Sequence, residues 1–374
     1  FIGLRFNNYQ TIVQYNFPEM MSQKIKFNCL KFSLVAGFML FVQTGFAQGK
    51  FADFESTLDA RRKSLGNDLM VYIANKDTIL YQKAFGDMNV RTQAPVGAAS
   101  AWFTTALVLH LVDEGKISLD DKIVQYLPIY GSYAKNYVTI RHCLTHMTGI
   151  QTDPFKTASL TAKQKFESLE EEVNSYAKKE IQTNAGEEFR YSNMGPSIAA
   201  RIVEIVTKKK FEQLLRQRIF SPLGMRNTAF VTEDGTTASP STGAKTTAAD
   251  LTRFLQMILN GGTLNGKKIL SPQAVAEMRK IQFASEKIKN APKAMNGFSY
   301  TLGGIWSTDL VEEPGATASV LVSPGLLGAW PMIDFKKGYV LVIFPKSFTG
   351  EQNQNEYLGL KEIVDQLPPS AFTK

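Results

Sequence analysis

The chain has 374 residues, of which 44% are hydrophobic, 20% charged and 11% aromatic, and its formal net charge is +8. These proportions are ordinary for a globular protein and exclude a disordered, collagen-like or disulfide-stapled chain. The length exceeds what one core usually fills, so we expect two closely packed subdomains. Positive charge is spread along the chain, without the basic stripe and stacking aromatic residues that nucleic-acid binding would need.

The first part of the chain has the pattern of an export signal. Residues 1–20 are expected to be untranslated upstream sequence, because Met20 and Met21 are the first candidate starts. A basic region, an apolar run over Phe32–Val42 and small residues before position 48 then predict a signal peptide over 21–47. We therefore expect a periplasmic or extracellular protein with no membrane span after cleavage. An uncleaved membrane anchor is the alternative, which the shortness of the run disfavours.

The mature chain would keep one cysteine, because Cys29 lies within the predicted leader. An internal disulfide is therefore not expected, despite the oxidising destination. The remaining Cys143 lies in an apolar helical stretch, which favours a buried, inert thiol over a nucleophile.

The predicted elements begin with a helix and a hairpin. Lys50–Leu65 carries apolar residues at spacings of three and four, which predicts an amphipathic helix. Leu69–Ala74 and Thr78–Phe85 alternate as two strands joined by a polar turn. A mostly apolar helix is predicted over Ala98–Leu111, and residues 121–280 then have an almost wholly helical pattern.

Strand patterns return after the helical block, and a helix closes the chain. The strands are expected near Phe298–Trp306, Ser319–Val322, Ala329–Ile333 and Tyr339–Phe344, and the helix over 351–367.

This order of elements predicts an α+β fold. An antiparallel sheet would be flanked by the N- and C-terminal helices, with an all-helical subdomain inserted between its strands. Within a domain over 48–374, we expect a sheet subdomain of about 48–97 plus 290–374 and a helical subdomain of about 98–289. The functional site would lie in the crevice between the two parts.

Three stretches, read together, carry a family resemblance. They are residues 102–121, which begin WFTTALVLHLVDEGK, residues 138–149, VTIRHCLTHMTG, and residues 189–195, FRYSNMG. Their ordered combination resembles the serine β-lactamase and penicillin-binding protein superfamily. The most similar branch contains the class C β-lactamases, D-Ala-D-Ala carboxypeptidases and family VIII esterases.

The resemblance implies a β-lactamase/transpeptidase-like fold and acyl transfer through a covalent serine ester. In that family a Ser-x-x-Lys motif begins a helix, so that both side chains share one face. The lysine helps to remove the serine proton, and two backbone N–H groups bind the oxyanion. A Tyr-x-Asn motif adds a phenol and an amide, and a third motif lies on a strand. The implied substrates are β-lactams, D-Ala-D-Ala peptides or esters, and no metal or organic cofactor is implied.

Both reactive groups of the Ser-x-x-Lys motif are missing here. Counting back from Phe103 places the serine position on Ala98 and the lysine position on Ala101. A methyl group can neither attack a carbonyl nor accept a proton, so the family mechanism cannot use these positions. Ser100 lies about 200° around the helix from position 98 and has no lysine three residues later, so we interpret it as structural.

The Tyr-x-Asn motif is present in this sequence, whereas the third motif is matched only in part. Tyr191 and Asn193 match Tyr-x-Asn and would be the remaining phenol and a substrate-facing amide, although an asparagine that caps the next helix fits the pattern too. The best third motif is Ser323-Pro-Gly325, in which Ser323 would replace the family's cation and bind substrate together with Gly325. A strand-ending turn explains those three residues equally well.

Other polar groups are interpreted as structural. His142 and His146 lie four apart on a predicted helix, but no third ligand follows at a useful spacing, so no metal site is expected. Residues 170–172, three consecutive glutamates, are expected to form a solvated helix face.

Two functions from different classes therefore compete. The chain could be a catalytically disabled hydrolase, a pseudoenzyme that still binds a small-molecule or peptidoglycan-peptide ligand. It could also be a deliberately inactivated copy of an active hydrolase. An enzyme that uses another nucleophile has little support in the sequence.

Overall fold

The computed structural model places residues 51–374 in one compact unit. The residues that it describes are 49–152, 166–232, 236–285, 288, 291–311, 314–323, 329–346 and 353–372. The predicted leader, 21–47, and the residues before it lie outside the described residues. Within these described ranges, no helix has both the length and the apolar character needed to span a membrane.

The helices and strands are numbered in chain order. The helices are α1 Ala52–Leu65, α2 Ser100–Asp113, α3 Ile129–Ser132, α4 Ile140–Leu144, α5 Leu169–Ala177, α6 Met194–Thr207, α7 Phe211–Leu215, α8 Ala248–Leu259, α9 Pro272–Arg279 and α10 Gln354–Asp365. The strands are β1 Leu69–Ala74, β2 Ile79–Phe85, β3 Ala94–Pro95, β4 Ala229–Phe230, β5 Ala244–Thr246, β6 Thr263–Leu264, β7 Lys267–Lys268, β8 Ser299–Tyr300, β9 Trp306–Ser307, β10 Val320–Val322, β11 Trp330–Asp334 and β12 Tyr339–Pro345.

The main sheet joins the two ends of the compact unit. Its strand order is β2-β1-β12-β11-β10-β9-β8, and each neighbouring pair is antiparallel. The first strand of the chain therefore pairs with the last, with Val71 opposite Ile343. The β1–β2 turn is held by Asn75, whose side-chain oxygen accepts the backbone N–H groups of Asp77 and Thr78.

Alternation along β1 divides the core between the two faces of the sheet. Val71 and Ile73 pack in one cluster with the terminal helices α1 and α10, while Met70 and Tyr72 pack in the other with α2 and α8. Burial of both faces is the main stabilising term, because apolar area leaves water on each side. The predicted α+β class and its flanking terminal helices are confirmed.

The inserted block is mainly but not wholly helical. Strands β3, β5 and β4 form a three-stranded sheet, and β6 pairs with β7. Two- and three-residue strands are too short to produce a readable alternation, which is why the helical pattern concealed them. The strand expected over Phe298–Trp306 is likewise two short strands, β8 and β9, on either side of a turn that contains Gly303 and Gly304.

One prediction about the surface is wrong. Glu172 is buried, whereas Glu170 and Glu171 are exposed. The Glu172 carboxylate accepts the hydroxyls of Tyr176 at 2.5 Å and Ser197 at 3.1 Å. Three consecutive helical residues sweep about 200°, so one of them can point inward while the others face solvent.

Candidate active site

The two alanines lie where the chain enters α2. Ala98 is in a 3₁₀ turn, Gly97–Ala99, that leads directly into the helix, and Ala101 is in the first helical turn. The entry is fixed from behind by β3, whose Pro95 is opposite Lys245 of β5. Ala98 is 1% exposed and Ala101 is 3% exposed, so both methyl groups are inside the protein.

The turn between β8 and β9 covers both alanines. Gly304 has φ +80°, and a methyl group there would lie 3.0 Å from the Ala101 Cβ and 3.4 Å from the Ala98 carbonyl oxygen. Trp102 anchors the same turn, because its Nε1–H donates to the Gly304 carbonyl at 3.2 Å. Only glycine fits this approach, since the backbone conformation is left-handed and the space is filled.

Tyr300 fixes the turn from the other side. Its hydroxyl accepts the Gly304 N–H at 2.8 Å and donates to the Leu144 carbonyl at 2.9 Å. The Gly303 N–H donates to that same carbonyl at 2.8 Å. The end of α4 and the β8–β9 turn are thus tied together in front of α2.

Tyr191 lies in an aromatic cluster beside the alanines. Its ring centroid is 4.6 Å from that of His146 and 6.1 Å from that of Trp306, and it shares one buried cluster with Ala98. Tyr191 is 6% exposed, and this burial raises the pKa of its phenol well above the usual value. The raised pKa favours the protonated phenol.

His146 is a buried neutral ring rather than a metal ligand on a helix. Helix α4 ends at Leu144, and His146 has φ +57°. Its Nδ1 accepts the Ser192 N–H at 3.4 Å, and burial lowers its pKa to about 3. His142 instead accepts the Thr139 N–H at the start of α4. The described ranges hold no group of three His, Cys, Asp or Glu side chains arranged for a metal.

Asn193 is joined to the start of α2 through residues 239–244. It occupies the N-cap of α6, but its side chain makes no cap hydrogen bond in the described structure. Its carbonyl accepts the Ser241 hydroxyl at 3.1 Å. From the same segment, the Ala244 N–H donates to the Ser100 hydroxyl at 3.0 Å. Ser100 is therefore engaged with the backbone and buried, as expected of a structural residue.

The third motif is only partly described. Ser323 follows β10, one residue after Val322, which pairs with Trp306. It is buried, its N–H donates to the Pro331 carbonyl at 3.3 Å, and its hydroxyl has no hydrogen-bond partner among the described residues. Gly325 lies outside the described residues. This places Ser323 beside the strand that carries Trp306, with no lysine in the motif.

Sequence reasoning missed the aromatic packing around Tyr191. Tyr300 contacts both His146 and Trp306, and those two rings pack against Tyr191. The available signal was the Gly303-Gly304 pair in a strand pattern, which marks a close backbone approach. The buried Cys143 agrees with its prediction, since burial raises the pKa of the thiol and leaves it protonated.

Comparisons with known proteins agree with the resemblance. A family model described as Beta-lactamase matches residues 51–363. A β-lactamase-like protein of Bacteroides dorei DSM 17855 is 25% identical, with a TM-score of 0.71, over 85% of this chain and 98% of that one. The octameric penicillin-binding protein homologue of Pyrococcus abyssi shares the fold, at 19% identity and a TM-score of 0.68, over 85% of this chain and 78% of that one.

Curated relatives match over shorter regions. Penicillin-binding protein 4 of Amycolatopsis lactamdurans is 28% identical in an alignment of 214 residues that covers 49% of this chain and 55% of that protein. Protein flp of Staphylococcus aureus is 25% identical over 43% of this chain and 34% of its own length. The matches thus span about half, or less, of these curated relatives.

Proposed function

Because the chain belongs to the β-lactamase family, we propose that it is a serine-hydrolase relative whose acyl-transfer site is disabled. The observation that carries the proposal is the pair of buried methyl groups, Ala98 and Ala101, beneath Gly304. Covalent catalysis needs a nucleophile and a group that removes its proton. Neither position supplies one.

The neighbouring groups do not replace what is missing. The Ser100 hydroxyl accepts a backbone N–H, and the Ser323 hydroxyl contacts no base within the described ranges. Among the described residues, His146 contacts a serine through the Ser192 backbone N–H, and burial raises the pKa of the Tyr191 phenol. A hydroxyl without a base is a weak nucleophile at neutral pH, so catalysis by another serine has no support here.

We assign the chain a binding role in the exported compartment that its leader pattern predicts. A small molecule or a peptidoglycan peptide is the proposed ligand class. The name of the Amycolatopsis relative, a penicillin-binding protein, supports the small molecule.

Reactivity assays test the disabled site directly. We expect no turnover of nitrocefin or p-nitrophenyl esters, and no mass increase of the intact protein after penicillin or a fluorophosphonate. Ser100→Ala and Ser323→Ala serve as matched variants that would locate any adduct. A stoichiometric adduct on a serine of the folded protein contradicts the proposal.

Restoring both side chains separates a disabled lineage from a deliberately inactivated copy. A folded Ala98→Ser/Ala101→Lys protein regains acylation by penicillin if only these two residues were changed. Failure of the folded variant would mean that the surrounding groups have drifted as well. The genomic codons at positions 98 and 101 give an independent answer.

A further inference from the structure

A basic cavity lies at the opposite end of β10 from the alanine site. Its volume is about 570 Å³, and its lining includes Lys76, Arg279, Lys336, Phe335 and Ser319. Ser319 precedes β10 and Ser323 follows it, so this cavity and the third motif are about 13 Å apart along the strand. The described residues that line the cavity include three cations and no carboxylate.

Arg279 is held in place by neutral groups. It ends α9, its Nε–H donates to the Ala318 carbonyl at 2.9 Å, and its guanidinium lies 3.9 Å from the centroid of the Phe335 ring. Partial burial lowers its pKa, because the charged form loses water, although the more distant charge of Asp309 opposes this. No ion pair joins Arg279 to a carboxylate in the described part of the chain.

The carboxylate that acts on Arg279 is already engaged. Asp309 accepts the Ser319 hydroxyl at 2.8 Å and also the Ser319 N–H. Asp309 therefore engages Ser319, and the two terminal nitrogens of Arg279, which lines the cavity, have no hydrogen bond to a described residue. A guanidinium has five N–H donors in a planar fork, which suits two oxygens of one anion.

Two lysines from separate turns add to the positive charge. Lys76 lies in the β1–β2 turn and Lys336 in the β11–β12 turn, and both are exposed. Neither forms an ion pair with a described carboxylate, whereas the nearby Lys361 pairs with Asp334 at 2.8 Å. The C-terminal end of α8 also lines the cavity, and its carbonyl groups offset only part of this charge.

We propose that this cavity binds a phosphate-bearing ligand. Arg279 would make a bidentate contact with two phosphate oxygens, and Lys76 and Lys336 would neutralise the remaining negative charge of the ligand. Three cations without a carboxylate repel one another, and an anion between them removes that repulsion. The source of the phosphate is either a free phosphate compound or a phospholipid headgroup. The site is independent of the chemistry at Ala98.

Calorimetric titration of the full chain with inorganic pyrophosphate at low ionic strength tests the site. We expect one saturable site, which Lys76→Met/Lys336→Met weakens at least about 10-fold, because two charge-assisted contacts are lost. The matched control is Lys63→Met/Lys178→Met, which removes two exposed lysines outside the cavity and should change the affinity less than about 2-fold. Arg279→Lys keeps the charge but loses the fork, and should bind more weakly than the parent protein.

Sedimentation with phosphatidylglycerol vesicles identifies the source. Vesicle binding that pyrophosphate displaces, and that the Lys76/Lys336 variant loses, assigns a lipid headgroup. Pyrophosphate binding without vesicle binding assigns a free phosphate compound. The proposal is overturned if neither probe binds saturably, or if the control variant loses as much affinity as the cavity variant.

Discussion

The crevice around Ala98 and the interface between α5 and α6 are both buried, yet they contain opposite chemistry. At the interface, Glu172 keeps a carboxylate inside the protein, with hydroxyl donors from Tyr176 and Ser197. In the crevice, the side chains at both alanine positions are methyl groups, and aromatic rings pack around the neighbouring Tyr191.

The difference lies in how many hydrogen bonds the buried polar side chains make. Burial raises the pKa of Glu172, and the two hydroxyl donors on its Oε1 oppose that rise, although its Oε2 has no hydrogen-bond partner among the described residues. In the crevice, His146 Nε2 and Trp306 Nε1 have no hydrogen-bond partner among the described residues. These two rings therefore stabilise the fold mainly by aromatic packing.

The largest loss of stability is expected when a charged side chain is introduced beside Gly304. Ala101→Lys should destabilise the fold by about 3 kcal/mol or more at neutral pH, because an ammonium would be buried beside Gly304 without a carboxylate. A buried lysine has a lowered pKa, so the loss should shrink as the pH rises toward 10. Urea unfolding at pH 7 and pH 9.5 measures both effects.

The same substitution on the surface is the control for this prediction. Ala52→Lys adds a lysine to the exposed face of α1 and should change stability by less than about 0.5 kcal/mol. Equal effects of the two variants would show that the crevice is open to water.

Removal of the Tyr300 hydroxyl tests what closes the crevice. Tyr300→Phe should cost about 2 kcal/mol, because the Gly304 N–H loses its acceptor and the Leu144 carbonyl loses a donor inside the protein. Thermal unfolding measures the loss, and Tyr133→Phe, at an exposed tyrosine, serves as the control. An unchanged midpoint would mean that the turn is held by packing alone.

Ser100 tests the interpretation of the nearest serine. Ser100→Ala should cost about 1 kcal/mol, since the buried Ala244 N–H would lose its acceptor. Reactivity toward a fluorophosphonate should stay absent in both proteins. Labelling of the parent protein that disappears in this variant would make Ser100 a nucleophile.

The α5–α6 interface should respond to pH with the smallest effect. The folded protein holds the Glu172 proton more tightly than the unfolded chain, so this stabilising contribution is complete below about pH 4.5 and falls as the pH rises through the raised pKa. Glu172→Gln should remove that fall. Denaturant unfolding between pH 4 and pH 8 measures the slope, and the exposed Glu171→Gln should leave it unchanged.

The hydrophobic pattern of the sequence predicted the main strands and the central helix, but not the aromatic residues that pack near Ala98. The alternation of Val71 and Ile73 with their neighbours predicted the strand, and the apolar run after Ala98 predicted the central helix. Tyr300 and Trp306 lie about 200 residues further along the chain, and no local rule places them in front of Ala98. Their contacts arise from tertiary packing, which propensity does not encode.

Charge type alone also misled the interpretation at Glu172. A run of like charges suggests a solvent-exposed face, but the helical period turns one of the three glutamates toward α6, where the Ser197 hydroxyl donates a hydrogen bond to it. The assignment of positions 98 and 101 to the Ser-x-x-Lys motif depends on register at the start of α2 and stays a prediction. The aromatic packing around the neighbouring Tyr191 could not be predicted from local sequence.

The buried thiol of Cys143 is a natural probe of local opening in this part of the fold. Cys143 is a free cysteine that is buried in the protein and belongs to α4. A small thiol reagent can reach the sulfur only when α4 separates from its neighbours. The rate of thiol labelling in native buffer therefore measures how often this part of the fold opens, without an engineered probe.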